Sequence, residues 1–147
     1  MFKKCNENEL RKFSEPSCQF DRDVLEDCKT FPYGFVTDKG NVSPCLFLKL
    51  NKIYGWEPKP VTYQMIEDDL DDTYAEMTQE LKNIIKEAKD PNHIWFDCKG
   101  RFSGDKEMLN MTFYPPTQSI PFKYFPFQGG RYEPPLVAVK LNMNDAE

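Results

Sequence analysis

The sequence has a single histidine, no Cys-x-x-Cys pair and only seven glycines in 147 residues. A structural zinc centre needs four nitrogen or sulfur ligands, usually as two close pairs, so these residues make a poor metal site. Serine or cysteine hydrolase chemistry would have to run through His93, and no nucleophile motif such as Gly-x-Ser-x-Gly lies near it. No Gly-x-Gly-x-x-Gly or phosphate-loop pattern occurs either. We therefore expect no catalytic residue, no cofactor and no metal. The formal net charge is −5 and no basic stripe is present. That balance excludes nucleic acid as the main partner and a polybasic hold on an anionic membrane. No stretch approaches the roughly 20 apolar residues that span a bilayer. The start, Met1-Phe2-Lys3-Lys4-Cys5, has no apolar signal region.

What the chain does contain is aromatic side chains, proline and cysteine. Phe and Tyr number 12 and 7, which is enough to build a core. Twelve prolines interrupt the chain repeatedly, as in a β-rich domain rather than a helical bundle. Four of the five cysteines, Cys5, Cys18, Cys28 and Cys45, fall among turn-formers and charges near the start. That density suits a secreted or luminal module; the alternative is five buried thiols in a cytosolic domain. Four cysteines allow three connectivities, and the sequence alone does not choose between them. Cys98, in a strand-like stretch from His93, is the odd one. Asn41-Val42-Ser43 and Asn110-Met111-Thr112 are acceptors for N-glycosylation. Asn41 sits in a turn, while Asn110 lies inside a predicted strand, so its use depends on facing solvent.

The pattern predicts strands over Cys45–Tyr54, Ile94–Cys98, Met108–Tyr114 and Leu136–Leu141. Alternation puts Leu46, Leu48 and Leu50 on one side of the first and Phe47, Lys49 and Asn51 on the other. Leu70, Tyr74, Met77, Leu81, Ile84, Ile85 and Ala88 recur at three- and four-residue steps, which predicts a helix over about 70–89. Glu67, Asp68, Asp69, Asp71 and Asp72 precede it. They lack the glycine of a calcium loop and suit the positive end of a helix dipole. The aromatic stretch Phe122–Phe127 is either core or a partner-binding patch.

The segment Pro44-Cys45-Leu46-Phe47-Leu48-Lys49-Leu50-Asn51-Lys52-Ile53-Tyr54-Gly55-Trp56 resembles one in the beta subunits of sodium/potassium (and related proton/potassium) ATPases. The resemblance is to invertebrate members in particular. Cys18-Gln19-Phe20 with Leu25 and Cys28, Tyr33-Gly34-Phe35, Cys98-Lys99-Gly100, Tyr124-Phe125-Pro126-Phe127-Gln128-Gly129 and Pro135-Leu136-Val137-Ala138-Val139 resemble further family motifs in the same order. Between Lys59 and Asp90 the resemblance is weak.

The resemblance implies an immunoglobulin-like, mainly β sandwich ectodomain with one helix. It spans residues 1–147 as one extracellular domain, with a disulfide-rich entry segment over 1–45 and sandwich strands over 46–141. It also implies pairing of Cys5 with Cys18 and of Cys28 with Cys45, and leaves Cys98 unpaired because its partner would lie on a later strand. The family's cytosolic tail, transmembrane helix and last strands are not found here, so the chain reads as an incomplete subunit whose Leu136–Leu141 strand would expose an unpaired edge. The implied function is non-catalytic: support of the folding, plasma-membrane delivery and potassium handling of a catalytic alpha subunit. Tyr124, Phe125, Pro126 and Phe127 are the residues expected to contribute to that assembly, directly or by shaping the surface. The alternative is an adhesion or junctional module of the same fold that acts without a pump.

Overall fold

A computed structural model describes residues 3–6, 9–10, 16–35, 42–101, 109–127, 129 and 132–143. The chain divides into two compact units. The first comprises residues 1–20, 50–97 and 119–135, and the second residues 21–49, 98–118 and 136–147. Each unit contains one antiparallel sheet, so the mainly β expectation holds.

The second unit is organised by β5 (Val137–Met143), which pairs on one side with β1 (Cys45–Leu48) and on the other with β3 (Leu109–Tyr114). Val137, Ala138 and Val139 are all buried, so the first half of β5 is covered on both faces. A strand in that position reads as a continuous apolar run. The sequence-based expectation that this strand would form an open edge is therefore corrected: β1 and β3 are the outer strands.

β1 is shorter than the alternating pattern suggested, ending at Leu48 rather than Tyr54. Only Cys45 of its four residues is buried; Leu46, Phe47 and Leu48 are exposed. The strand is fixed at its first residue instead. Cys45 is disulfide-bonded to Cys28, with Cα atoms 5.9 Å apart, and its amide donates to the Tyr33 carbonyl at 2.9 Å. Gly34 follows at φ +80, where a Cβ would run into the Ser43 carbonyl oxygen. This tight Tyr33-Gly34 turn requires glycine.

Cys28 closes a 3-10 helix, Arg22–Cys28, capped by Asp21, whose carboxylate accepts from the Asp23 amide at 3.0 Å. From the same helix Asp27 accepts a hydrogen bond from the Tyr114 hydroxyl at 3.3 Å and lies 3.7 Å from Lys140 Nζ. Burial, and then the charge of Asp27, push the Tyr114 phenol above its ordinary range.

In the first unit, β2 (His93–Trp95) pairs with β4 (Ser119–Pro121). Two helices, α1 (Tyr63–Glu67) and α2 (Gln79–Glu87), bury Ile66, Leu81 and Ile85 against one another, with Tyr74, Met77 and Trp95 packed around them. Burial of such aliphatic side chains stabilises by about 1.5–3 kcal/mol each. Cys5 and Cys18 are disulfide-bonded, Cα atoms 5.7 Å apart.

The helix expected over about 70–89 is confined to Gln79–Glu87. The physical reason is a cap: Thr78 Oγ1 accepts from the Leu81 amide at 3.3 Å, while its own N–H and hydroxyl donate to the Asp97 carboxylate at 2.8 and 3.1 Å. The acidic run upstream makes a separate turn. Asp69 accepts from the amides of Tyr74 and Thr73 at 2.8 and 3.0 Å, and the bond from Tyr74 is the main reason its carboxyl lies below the ordinary range. Of the periodic residues before Thr78, Tyr74 and Met77 pack on this core without being helical, and Leu70 is exposed. α1 and β4 were not anticipated; both are short.

Two outcomes follow for the second unit. Replacing Cys28 and Cys45 together by Ser releases a crosslink between residues 17 apart, which should cost about 3 kcal/mol in denaturant unfolding under oxidising conditions. Because Tyr114 holds its proton more tightly folded than unfolded, its contribution is complete below the ordinary value of 10.0 and is lost as pH rises through the higher folded value. Tyr114→Phe should lessen the alkaline loss of stability in unfolding curves compared from pH 8 upward.

Candidate interaction surface

The aromatic segment predicted to serve a partner lies wholly in the first unit, between β4 and β5. Its start, Phe122–Tyr124, is a 3-10 turn whose Phe122 amide donates to the Asn92 carbonyl at 3.0 Å. Tyr124 and Phe125 are buried and Pro126 is fully buried, so three of the four predicted contact residues point into the unit. Phe20 meets the Tyr124 ring edge-on at 5.7 Å. Lys123 Nζ sits 5.2 Å from the same ring centroid and 3.4 Å from the Cys5 carbonyl oxygen.

Phe127 is the member that reaches outward. A bridge pairs it with Tyr54, and the Gly55 amide donates to the Phe127 carbonyl at 2.7 Å. Around it gather Lys52 and Tyr54, from the end of the predicted strand, and Tyr132, which the sequence did not single out. Tyr54 lies edge-on at 6.5 Å, Tyr132 is tilted at 5.0 Å, and Lys52 Nζ lies 5.7 Å from the ring centroid. Trp56 stands edge-on to buried Phe125 at 5.5 Å. Tyr54 is 67% exposed, Ile53 59% and Trp56 41%. Edge-to-face geometry adds about 0.5–1.5 kcal/mol per pair beyond area burial. Buried Phe125 thus backs Trp56, while Tyr54 and Tyr132 pack on Phe127.

Tyr54, Ile53 and Trp56 thus form an exposed apolar group with Lys52 beside it, a candidate contact surface. The signal in the sequence was the spacing Ile53-Tyr54-Gly55-Trp56. Gly55 at φ +72 turns the chain there, so Ile53, Tyr54 and Trp56 present together at the surface instead of alternating along a strand.

Other candidate chemistry resolves into structure. His93 Nδ1 lies 3.0 Å from Ser119 Oγ, and its Nε2 lies 3.8 Å from Asp90 Oδ2. These are the residue types of a hydrolase triad, but Ser119 is 2% exposed, and a nucleophile must reach its substrate. The group ties β2 to β4. Cys5, Cys18 and Glu9 also converge within 4.8 Å, yet the two sulfurs are bonded to each other and Glu9 pairs with Lys3 at 2.7 Å. Cys98 stands outside both disulfides and is half-buried. Asn110 is exposed on β3, and Asn41 lies outside the described residues.

The fold defines a small, mainly β, disulfide-bonded protein. The family model described as the sodium/potassium ATPase beta chain matches residues 1–147, and the chain belongs to that family. It is 38% identical over 130 residues to the sodium/potassium-transporting ATPase subunit beta-1 of Drosophila melanogaster, covering 85% of this chain and 38% of that protein. It is 39% identical over 103 residues to the fly beta-2 subunit, covering 66% of this chain and 30% of that protein. To the potassium-transporting ATPase subunit beta of Mus musculus it is 27% identical over 132 residues, covering 85% and 35%. The chain thus spans 30–38% of the length of these relatives. The higher identity to the fly proteins agrees with the resemblance of the Lys49-Leu50-Asn51-Lys52-Ile53-Tyr54-Gly55-Trp56 segment to invertebrate members. Among the described residues no helix is long and apolar enough to cross a membrane.

The division between inner and outer rings has a measurable consequence. Phe125→Ala should destabilise the first unit by about 3–5 kcal/mol, as a core aromatic does. Tyr54→Ala, at an exposed position, loses its edge-on contact with Phe127 and should cost only about 0.5–1.5 kcal/mol. Paired denaturant unfolding curves of the two variants test this.

Proposed function

We propose that this chain serves as the non-catalytic beta subunit of a sodium/potassium-transporting ATPase. In that role it supports folding, membrane delivery and potassium handling of the catalytic alpha subunit. The observation that carries the reading is the family match along the whole chain. The outward rings of Tyr54, Trp56 and Phe127 give it a physical basis, because they form a fixed aromatic surface of the kind that dominates binding energy at interfaces. Tyr124, Phe125 and Pro126 act from behind by holding those rings.

The two disulfides fit an oxidising compartment. The working location is accordingly the extracellular face of the plasma membrane, with the alpha subunit as partner. No cofactor enters this role, since the alpha subunit carries out ATP hydrolysis and ion movement.

The test is co-purification of the alpha subunit with the beta chain from cells that make both. Replacing Tyr54 and Phe127 together by Ala should weaken recovery about tenfold or more, on the scale of a lost interface anchor of at least 1.4 kcal/mol. Retention of both disulfides shows that the variant is folded. Undiminished alpha recovery with the folded variant would remove this surface from the assembly. Recovery of a protein from an opposing cell, with no alpha subunit, would support the adhesion reading instead.

A further inference from the structure

We propose that His93 and Asp90 form a proton-operated clasp: when His93 takes up one proton from solvent, its Nε2–H closes on Asp90 Oδ2 and tightens the corner on which the aromatic segment is anchored. The clasp lies wholly within the first unit and depends on neither the partner nor the compartment proposed above.

Asp90 stands at the corner between α2 and β2. Its Oδ1 accepts from the Asn92 amide at 3.0 Å, and the His93 amide donates to the Pro91 carbonyl at 2.9 Å. The second carboxylate oxygen, Oδ2, is shut off from water and has no hydrogen-bond partner. His93 Nε2 stands 3.8 Å from it, within ion-pair range but beyond a hydrogen bond. A buried acceptor left in this state costs free energy, and a charge-assisted bond removes that cost.

The imidazole is placed to take the proton. It is buried, its Nδ1 lies 3.0 Å from Ser119 Oγ on β4, and the Trp95 ring of its own strand stacks on it at 5.7 Å. A neutral imidazole carries one N–H and serves one of its two polar neighbours as donor. The protonated ring serves both, Nδ1–H to the Ser119 oxygen and Nε2–H to Asp90. Burial opposes the charge and the facing carboxylate favours it. The carboxylate prevails because its Oδ2 has no other donor. Two further charged groups nearby in the chain are engaged elsewhere. Asp97 accepts from the amide and hydroxyl of Thr78, and Lys123, in the turn after β4, lies at the Tyr124 ring and the Cys5 carbonyl oxygen. No covalent bond to a heavy atom breaks in the step, and the proton remains on the ring.

The corner bears directly on the aromatic segment. Asn92, between Asp90 and His93, offers its carbonyl to the Phe122 amide at 3.0 Å, and His93 pairs with Pro121 in the β2–β4 ladder. Ser119 opens β4, which runs straight into Phe122. Closing the clasp therefore steadies the start of Phe122–Phe127 from both strands. Because the folded form binds this proton more tightly than the unfolded chain, the hold is complete below the ordinary histidine value of about 6.5 and fades as pH rises through the higher folded value.

His93 is the single histidine of the chain, so its ring signals can be followed directly by NMR. The full chain with both disulfides formed is titrated from about pH 5 to 8.5, on either side of the ordinary histidine value, as parent and as Asp90→Asn. We expect a parent midpoint above about 6.5, and a fall of about tenfold or more in proton affinity in Asp90→Asn. The protection of the Phe122 amide against hydrogen exchange, corrected for the intrinsic rate, should rise as pH falls through the parent midpoint and stay level in Asp90→Asn. A midpoint at or below the ordinary value, or one that Asp90→Asn leaves in place, overturns the clasp. A shifted midpoint with level Phe122 protection in the parent overturns its hold on the aromatic segment. If Asp90→Asn does not fold, the parent's midpoint and Phe122 protection decide the matter by the same criteria.

Discussion

The bond between Cys28 and Cys45 fixes the arrangement of the second unit. β1 contributes one buried residue to the sheet, and its next three side chains face solvent. A four-residue outer strand with so little burial does not hold itself in place by the hydrophobic effect. The disulfide ties its first residue to the end of the 3-10 helix, and the Cys45 amide adds a hydrogen bond to Tyr33. With β1 fixed, β5 is flanked on both sides and can bury Val137, Ala138 and Val139. The same helix then places Asp27 against Tyr114 and Lys140, linking the crosslink to β3.

The first unit solves a different problem, which is to present apolar side chains to water without letting them collapse. It does so with two layers of rings. Tyr124, Phe125 and Pro126 form the buried layer, and Tyr54, Trp56 and half-buried Phe127 the outer one; the edge-on Trp56–Phe125 contact joins them, while the Tyr54–Phe127 contact and the Gly55–Phe127 hydrogen bond tie the outer layer together. Rigid aromatic side chains lose little conformational freedom on binding, so a surface prepared in this way is well suited to a protein partner. The buried His93–Ser119–Asp90 group, by contrast, shows residues of catalytic type employed to join two strands.

The family assignment and the mainly β character could be read from the sequence because they rest on local patterns. A Pro-Cys pair followed by the six alternating residues Leu46 to Asn51, and cysteines at fixed spacing, survive as strings whatever the rest of the chain does. The helix boundary could not be read in the same way. Leu70, Tyr74 and Met77 have helical spacing, but Asp69 captures the amides of Thr73 and Tyr74 in a turn, and Thr78 restarts the chain as a cap anchored to Asp97, 19 residues away. A long-range anchor of that kind leaves no trace in a short window.

Composition and spacing alone thus determined that this chain is an acidic, cysteine-containing β protein without a nucleophile motif or a phosphate loop, and its motifs determined the family. Tertiary structure decided which of its apolar residues are core. Leu46, Leu48 and Ile53 are as hydrophobic as Val137 and Val139, yet the first three are exposed and the last two buried. The physical reason is position in the sheet and at the turn. A central strand is covered by neighbours on both sides, an outer strand is not, and Gly55 at φ +72 turns Ile53, Tyr54 and Trp56 toward solvent. Burial is set by what lies opposite a side chain in space, and the linear sequence does not contain that information.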